Sequence, residues 1–332
     1  MQTFFTLFQE EKPTAVALGF FDGVHRGHRK VLSGAARQKK NGLLPVCMTF
    51  AERPKSVLSG EDTPALMTQD DKLAALRQIG IEHVFFADFR ALMHLSARAF
   101  FEQILVGRLR AKALFCGFNY RFGKNAEGDV TLLQKLCVEH HIALTVVPPE
   151  TDGGEVVCST LIRRLIAEGN IRRANSMLSG TFGVREAIRH GMRLGHRLGT
   201  PTLNQPLTKG LVVPKFGVYA SRVTLENGER YCGVTNIGIK PTVGGTTPLW
   251  ETWMPDYHGG EIYGETADVR LLDYIREEKK FDDLTALKDE IIKNAQKDLL
   301  VRVDGVDHQI KQTLGFGFEL HFCHLNYFLF MY

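Results

Sequence analysis

One stretch of the sequence gathers side chains suited to phosphate chemistry: Gly19-Phe20-Phe21-Asp22-Gly23-Val24-His25-Arg26-Gly27-His28. Glycines at 19, 23 and 27 let backbone approach a ligand closely. The helix expected to start at Gly27 offers unpaired N–H groups to an anion, and two imidazoles three residues apart, His25 and His28, can donate to phosphoryl oxygens. Together Gly19, Phe21, Asp22, Gly23, Gly27 and the two histidines read as a triphosphate-binding loop. A plain surface turn does not account at once for the glycines, the paired histidines and the apolar run just before them. Neither common phosphate loop is present. Gly117 to Gly123-Lys124-Asn125 has one residue too many for GxxxxGK and Asn where a hydroxyl belongs, and GxGxxG is absent.

The elements that must position this loop can be read from the apolar periodicity. Ala15 to Leu18, Leu44 to Phe50, His83 to Ala87, Ala113 to Cys116 and Ala143 to Val147 read as buried strands. Gly27 to Lys39, Gln69 to Gln78, Ala97 to Val106 and Val130 to His140 have helical spacing. Strands alternating with helices predict a parallel α/β sheet whose ligand crevice lies at the carboxyl ends of the strands. From Phe182 onward glycines recur between alternating segments such as Val218 to Val223 and Arg230 to Val234, which predicts a small antiparallel barrel closed by a helix over Leu284 to Lys297. Between sheet and barrel, Ser159 to Glu168 and Ile171 to Leu178 read as two short linking helices, with Arg164, Arg172 and Arg173 expected to pack on the barrel.

Composition agrees with two folded domains in 332 residues. Lys plus Arg exceed Asp plus Glu by 41 − 37 = 4, and 44% of residues are hydrophobic against 23% charged, which excludes disorder as the main state. The basic residues are dispersed, so a dedicated nucleic-acid binder is not favoured, while anionic small molecules satisfy the same charge. Cysteines at 47, 116, 137, 158, 232 and 323 show no CxxC spacing and read as reduced cytoplasmic thiols. No export signal is expected, and the apolar run Leu320 to Tyr332 is shorter than the roughly 20 residues of a membrane helix.

The loop over residues 19–28 resembles the first signature of the nucleotidyltransferases, in the form found in the family of prokaryotic bifunctional riboflavin kinase/FMN adenylyltransferases, the FAD synthetases. Other segments resemble the same family in order. They are Gly117-Phe118-Asn119-Tyr120-Arg121-Phe122-Gly123-Lys124 with Gly128-Asp129, then Cys158-Ser159-Thr160-Leu161-Ile162-Arg163, then Leu198-Gly199-Thr200-Pro201-Thr202-Leu203-Asn204. Asn236-Ile237-Gly238 with Pro241-Thr242, Glu251 ahead of Asp256-Tyr257 and Tyr263-Gly264, and Arg276 to Phe281 complete the set. Cys158 stands where the family usually has Ser, and Leu203 where it usually has Ala.

The resemblance implies a Rossmann-like adenylyltransferase domain over residues 1–182, linking helices included, and a β-barrel riboflavin kinase domain over 183–332 with an unassigned tail from about 305. It implies ATP, riboflavin and FMN as substrates and Mg²⁺ as cofactor. In the first domain His25, His28 and Arg163 would be catalytic, Ser159 and Thr160 would close on phosphate, and Asn119, Phe122 and Asp129 would hold flavin. In the second, Glu251 would be the base that accepts the ribityl hydroxyl proton, and Thr202 and Asn204 would bind phosphate and Mg²⁺. Two rival readings stand beside this: an adenylyltransferase with a flavin-binding remnant as second domain, and a flavin-sensing regulator that binds nucleic acid. The oligomeric state is left open.

Overall fold

The computed structural model describes residues 1–6, 9–60, 62–189, 202–239 and 248–277. The expected closing helix Leu284 to Lys297, the motif residues Leu198 to Pro201, Pro241 and Thr242, and the tail from about 305 lie outside the described residues.

The N-terminal half is built on strands β1 (Gln2–Phe4), β2 (Thr14–Leu18), β3 (Leu44–Phe50), β4 (His83–Ala87), β5 (Ala111–Gly117) and β6 (Ala143–Val147). They lie in the order β1-β4-β3-β2-β5-β6, each neighbouring pair parallel. Helix α1 (Arg26–Arg37) follows β2, while α2 (Pro54–Ser59) and α3 (Gln69–Ile79) follow β3. After β4 come α4 (Phe89–Leu92) and α5 (Ala97–Ala99), which runs into a π-helical stretch, Phe100–Arg108; α6 (Val130–Glu139) follows β5.

Alternation along the strands makes the two faces. Ala15 and Ala17 pack with Val31, Leu32 and Ala35 of α1 and Leu76 of α3. Val16 and Leu18 pack on the opposite side with Phe101, Ile104, Leu133 and Leu136. An ordinary α-helix was expected over Ala97 to Val106; its wider π form buries Phe100, Phe101, Ile104 and Leu105 together. From β2 the chain steps outward to β3 and β4, then returns across β2 to β5 and β6. Direction therefore reverses between β2 and β5, which opens a crevice at their carboxyl ends.

A hairpin, β7 (Thr151–Asp152) and β8 (Glu155–Val156), leads to helices α7 (Ser159–Ala167) and α8 (Ile171–Met177). Then come β9 (Gly183–Ala187), β10 (Thr202–Pro206), β11 (Gly217–Leu225), β12 (Arg230–Ile239), β13 (Pro248–Trp253) and β14 (Thr266–Arg276). Their order is β10-β13-β12-β11-β14-β9, all antiparallel. The two edges nearly close into a barrel: Gln205 Nε2 donates to the Glu186 carbonyl at 2.7 Å, and Arg189 N donates to the Asn204 carbonyl at 2.8 Å. Tyr219, Ile237, Trp250 and Leu271 fill the barrel core, and Leu165, Ile166, Ile171 and Met177 of α7 and α8 continue the same apolar cluster. Among the described residues, Arg172 reaches a barrel strand, pairing with Asp273 at 2.6 Å, while Arg164 pairs with Glu155 and Arg173 with Asp152 of the hairpin.

Candidate active sites

The loops after β2 and β5, the hairpin and the start of α7 enclose a cleft of about 410 Å³ at the reversal point. It is lined by Gly19, Phe21, His25, Gly27, His28, Asn119, Ser159 and Thr160, eight of the residues expected from sequence. Loops after β2, β3, β5 and β6 thus converge on one place, as a parallel topology allows. The loop itself is strained: Phe21, Gly23 and Val24 have φ of 55°, 77° and 37°. For a β-branched residue such as Val24 this backbone costs of the order of 1–3 kcal/mol. Its carbonyl is held by the Ser179 hydroxyl, and a Cβ on Gly23 would stand 2.7 Å from the Leu66 side chain.

His25 caps α1, its Nδ1 accepting from His28 N at 3.4 Å. In the neutral ring that leaves the proton on Nε2, available to a ligand. The two imidazoles stack with centroids 3.6 Å apart, and Phe21 meets His28 edge-on at 5.3 Å. Burial holds His25 down to about 4. Burial also keeps His28 well below the ordinary 6.5, with His25 and Lys72 pushing the same way. Both are therefore neutral donors at pH 7, and His28 Nδ1 is buried without a hydrogen-bond partner. Positive charge lining the cleft comes from residues that sequence reasoning did not single out, Arg53 and Arg121, beside the carboxylate of Glu150, which pairs with Lys30. Lys72 lies just beneath, its Nζ donating to the Phe20 carbonyl at 3.0 Å. Its signal was present as a lysine in line with Leu76 and Ile79, at helical spacing on a buried face.

Asp22 and Arg163 do not line the cleft. Asp22 is buried behind the loop, where Oδ1 accepts from Leu66 N at 2.9 Å and Oδ2 pairs with the Arg163 guanidinium. Arg163 also donates to the Pro64 carbonyl, and the Ser159 hydroxyl donates to the Asp22 carbonyl at 3.0 Å. This network ties the start of α7 to the loop. Phe122 and Asp129 lie apart from the cleft as well. Phe122 is buried against Tyr120 and Phe100, and Asp129 caps α6, accepting from Leu132 N at 2.9 Å, which lowers its carboxyl.

The second site sits on the barrel wall. Asn204 of β10, Glu251 of β13 and Asn236 of β12 stand in one register row, and Thr202 lies two residues from Asn204 on the same face. The next row, facing inward, fixes that register: Thr235 Oγ1 bonds Thr252 Oγ1 at 2.8 Å and Ser221 Oγ at 2.7 Å. Asn204 is buried, and among the described residues its Oδ1 has no hydrogen-bond partner, an oxygen suited to a hard cation. Thr202, Met254, Tyr257, Ile262 and Tyr263 border an adjoining cavity of about 220 Å³. Leu203 also touches that cavity, but it is buried as part of the barrel core.

Comparison with known proteins divides the chain the same way. The family model described as FAD synthetase matches residues 7–161, and the model described as riboflavin kinase matches residues 178–299. The bifunctional riboflavin kinase/FMN adenylyltransferase of Escherichia coli strain K12 is 36% identical over 282 residues, covering 84% of this chain and 90% of that protein. Its counterpart from Bacillus subtilis strain 168 is 32% identical over 297 residues, covering 87% and 92%. A crystal structure described as a macrolide-efflux protein from Streptococcus pneumoniae superimposes with a TM-score of 0.80 at 28% identity, over 89% of this chain and 97% of that one. Among the described residues here, no helix is long and apolar enough to cross a membrane. With both halves matched in order and the E. coli relative covered almost end to end, the chain belongs to the bifunctional riboflavin kinase/FMN adenylyltransferase family.

Proposed function

We propose that this chain converts riboflavin to FMN on the barrel and FMN to FAD in the cleft, each with ATP. The observation that carries the reading is the convergence of His25, His28, Asn119, Ser159 and Thr160 on one cleft at the sheet's reversal point. In adenylyl transfer an FMN phosphate oxygen attacks the α-phosphorus of ATP, and the bond to the departing pyrophosphate breaks. Such a step asks mainly for positioning and for charge stabilisation. The neutral imidazoles donate to the triphosphate, with Ser159 and Thr160 at the N-terminus of α7 closing from the far side. Asp22 and Arg163 hold that closure in register, and Asn119 orients the flavin or base.

On the barrel, Glu251 accepts the proton of the terminal ribityl hydroxyl as its oxygen attacks the γ-phosphorus of ATP and ADP leaves. Asn204 and Thr202 are the oxygens that would hold Mg²⁺, which when bound neutralises phosphoryl charge. We take residues 1–182 and 183–332 as the two working units and the cytoplasm as their location. Product analysis tests the whole reading: riboflavin, ATP and Mg²⁺ should yield FMN and then FAD. FAD from supplied FMN with no FMN from riboflavin would reduce the barrel to a binding remnant, and neither product would refute both activities.

A further inference from the structure

Lys72 is a charge without a fixed counter-charge. It is 7% exposed, its ammonium donates to the Phe20 carbonyl at 3.0 Å, and it lies 4.4 Å from the Phe20 ring centroid. The nearby carboxylate, Asp22, is already paired with Arg163. The nearby thiol, Cys47, is pushed up to about 12 by burial and stays neutral. Lys72, Arg163 and Asp22 together leave one buried positive charge behind a loop whose two histidines carry none. Burying an unpaired ammonium is costly, and burial draws Lys72 below its ordinary value. Nor does the fold need it for the hydrogen bond, since the Thr49 hydroxyl also donates to the Phe20 carbonyl, at 2.9 Å.

We propose that Lys72 is a fixed buried cation of the adenylyltransferase site beneath the lining arginines Arg53 and Arg121, a positioning residue whose counter-charge is the polyphosphate of ATP or the pyrophosphate product. The proposal rests on the cleft being that site. Phe20 lines the cleft and its ring lies over the ammonium, so the charge acts across one aromatic side chain, where screening by water is weaker than in bulk. It draws in the polyanion and holds it against the neutral imidazole donors, of which His28 is held down partly by Lys72.

The test is Lys72→Met in the full chain, which keeps shape and removes charge. In the FMN-to-FAD assay, the KM for ATP and the inhibition constant of inorganic pyrophosphate should each rise roughly ten- to a hundredfold, the effect of one charge acting over several ångströms in a partly screened site. Inhibition by adenosine, which has the base and no phosphate, should change less than about twofold. The melting temperature without ligand should hold or rise, because an unpaired buried charge has been removed. Unchanged pyrophosphate inhibition would overturn the proposal. So would an equal loss for adenosine, or a variant that melts early or fails to fold, since those outcomes make Lys72 a structural strut. Lys72→Arg, with charge kept, should stay nearer the parent than Lys72→Met in pyrophosphate inhibition; the reverse order counts against the proposal. A parent chain that makes no FAD from FMN would instead overturn the reading of the cleft itself.

Discussion

Asp22 and Arg163 form a pair with side chains 4% and 11% exposed, and the charges around them make the two single substitutions unequal. Removing one partner of a buried pair leaves the other uncompensated, at a cost of about 3–5 kcal/mol. Asp22→Asn keeps an Oδ1 to accept from Leu66 N but leaves both Arg163 and Lys72 unneutralised, so its loss should lie near the top of that range, about 5 kcal/mol. Arg163→Met leaves Asp22 with Lys72 still beside it, and its loss should lie near the bottom, about 3 kcal/mol. The double variant carries no stranded carboxylate and should lose clearly less than the sum, with a coupling of about 2 kcal/mol or more. Urea unfolding of the full chain, read at the transition that includes the parallel sheet, measures all four corners. Strictly additive losses, or Arg163→Met proving the more damaging single change, would refute the charge accounting. FAD formation should fall in both single variants, because the Ser159 hydroxyl is anchored on the Asp22 carbonyl.

His28→Ala should cut FAD formation from FMN by roughly 10²- to 10³-fold and leave riboflavin phosphorylation near normal, as steady-state assays of the two steps would show. Glu251→Gln should do the opposite, with phosphorylation of riboflavin down about 10²-fold or more and adenylylation intact. Stability should fall on acidification from pH 6.5 towards 4, since the unfolded chain takes up protons that the folded His25, held down to about 4, refuses. The gap from 6.5 to about 4 corresponds to about 3 kcal/mol for that residue, present above pH 6.5 and lost as pH drops through the window. His25→Gln should flatten that part of a melting-temperature profile, and a parent and variant with parallel acid limbs would sink the idea. A fragment of residues 183–332 should fold less stably than one of residues 157–332, because α7 and α8 share the barrel's apolar cluster; equal melting temperatures by circular dichroism would place those helices outside the barrel's core.

The parallel sheet was legible because its central strands are buried on both faces and most of its strands read as short apolar runs. Leu44–Phe50, His83–Ala87 and Ala143–Val147 appear with the bounds read from sequence. Edge strand β1 was not legible: three residues pairing only with β4 carry no period. The loop over residues 19–28 was legible as a local motif, and its supports were not. Lys72, Leu66 and Ser179 reach it from 44 to 155 residues away along the chain, a distance that only the folded topology closes. The same gap explains Phe122 and Asp129. The sequence reads them as one segment, but a β-bridge to Gly128 accompanies the burial of Phe122 in the core, and the start of α6 claims the Asp129 carboxylate.

The two sites also show why each chemistry sits on its own kind of sheet. Parallel strands all end on one side, so residues far apart in sequence converge in a cleft that wraps a long substrate. Adenylyl transfer needs such a wrap, because FMN and ATP must be aligned end to end. Antiparallel strands end on alternate sides and cannot gather their loops in that way; what they offer is a face with a fixed pitch. Neighbouring strands about 4.8 Å apart place Asn204, Glu251 and Asn236 side by side, and the inward hydroxyl row beneath them prevents a slip of register that would turn Glu251 into the core. On the proposed reading, register sets the place of Glu251 on the barrel wall, and the loop residues Met254, Tyr257, Ile262 and Tyr263 border the cavity beside it.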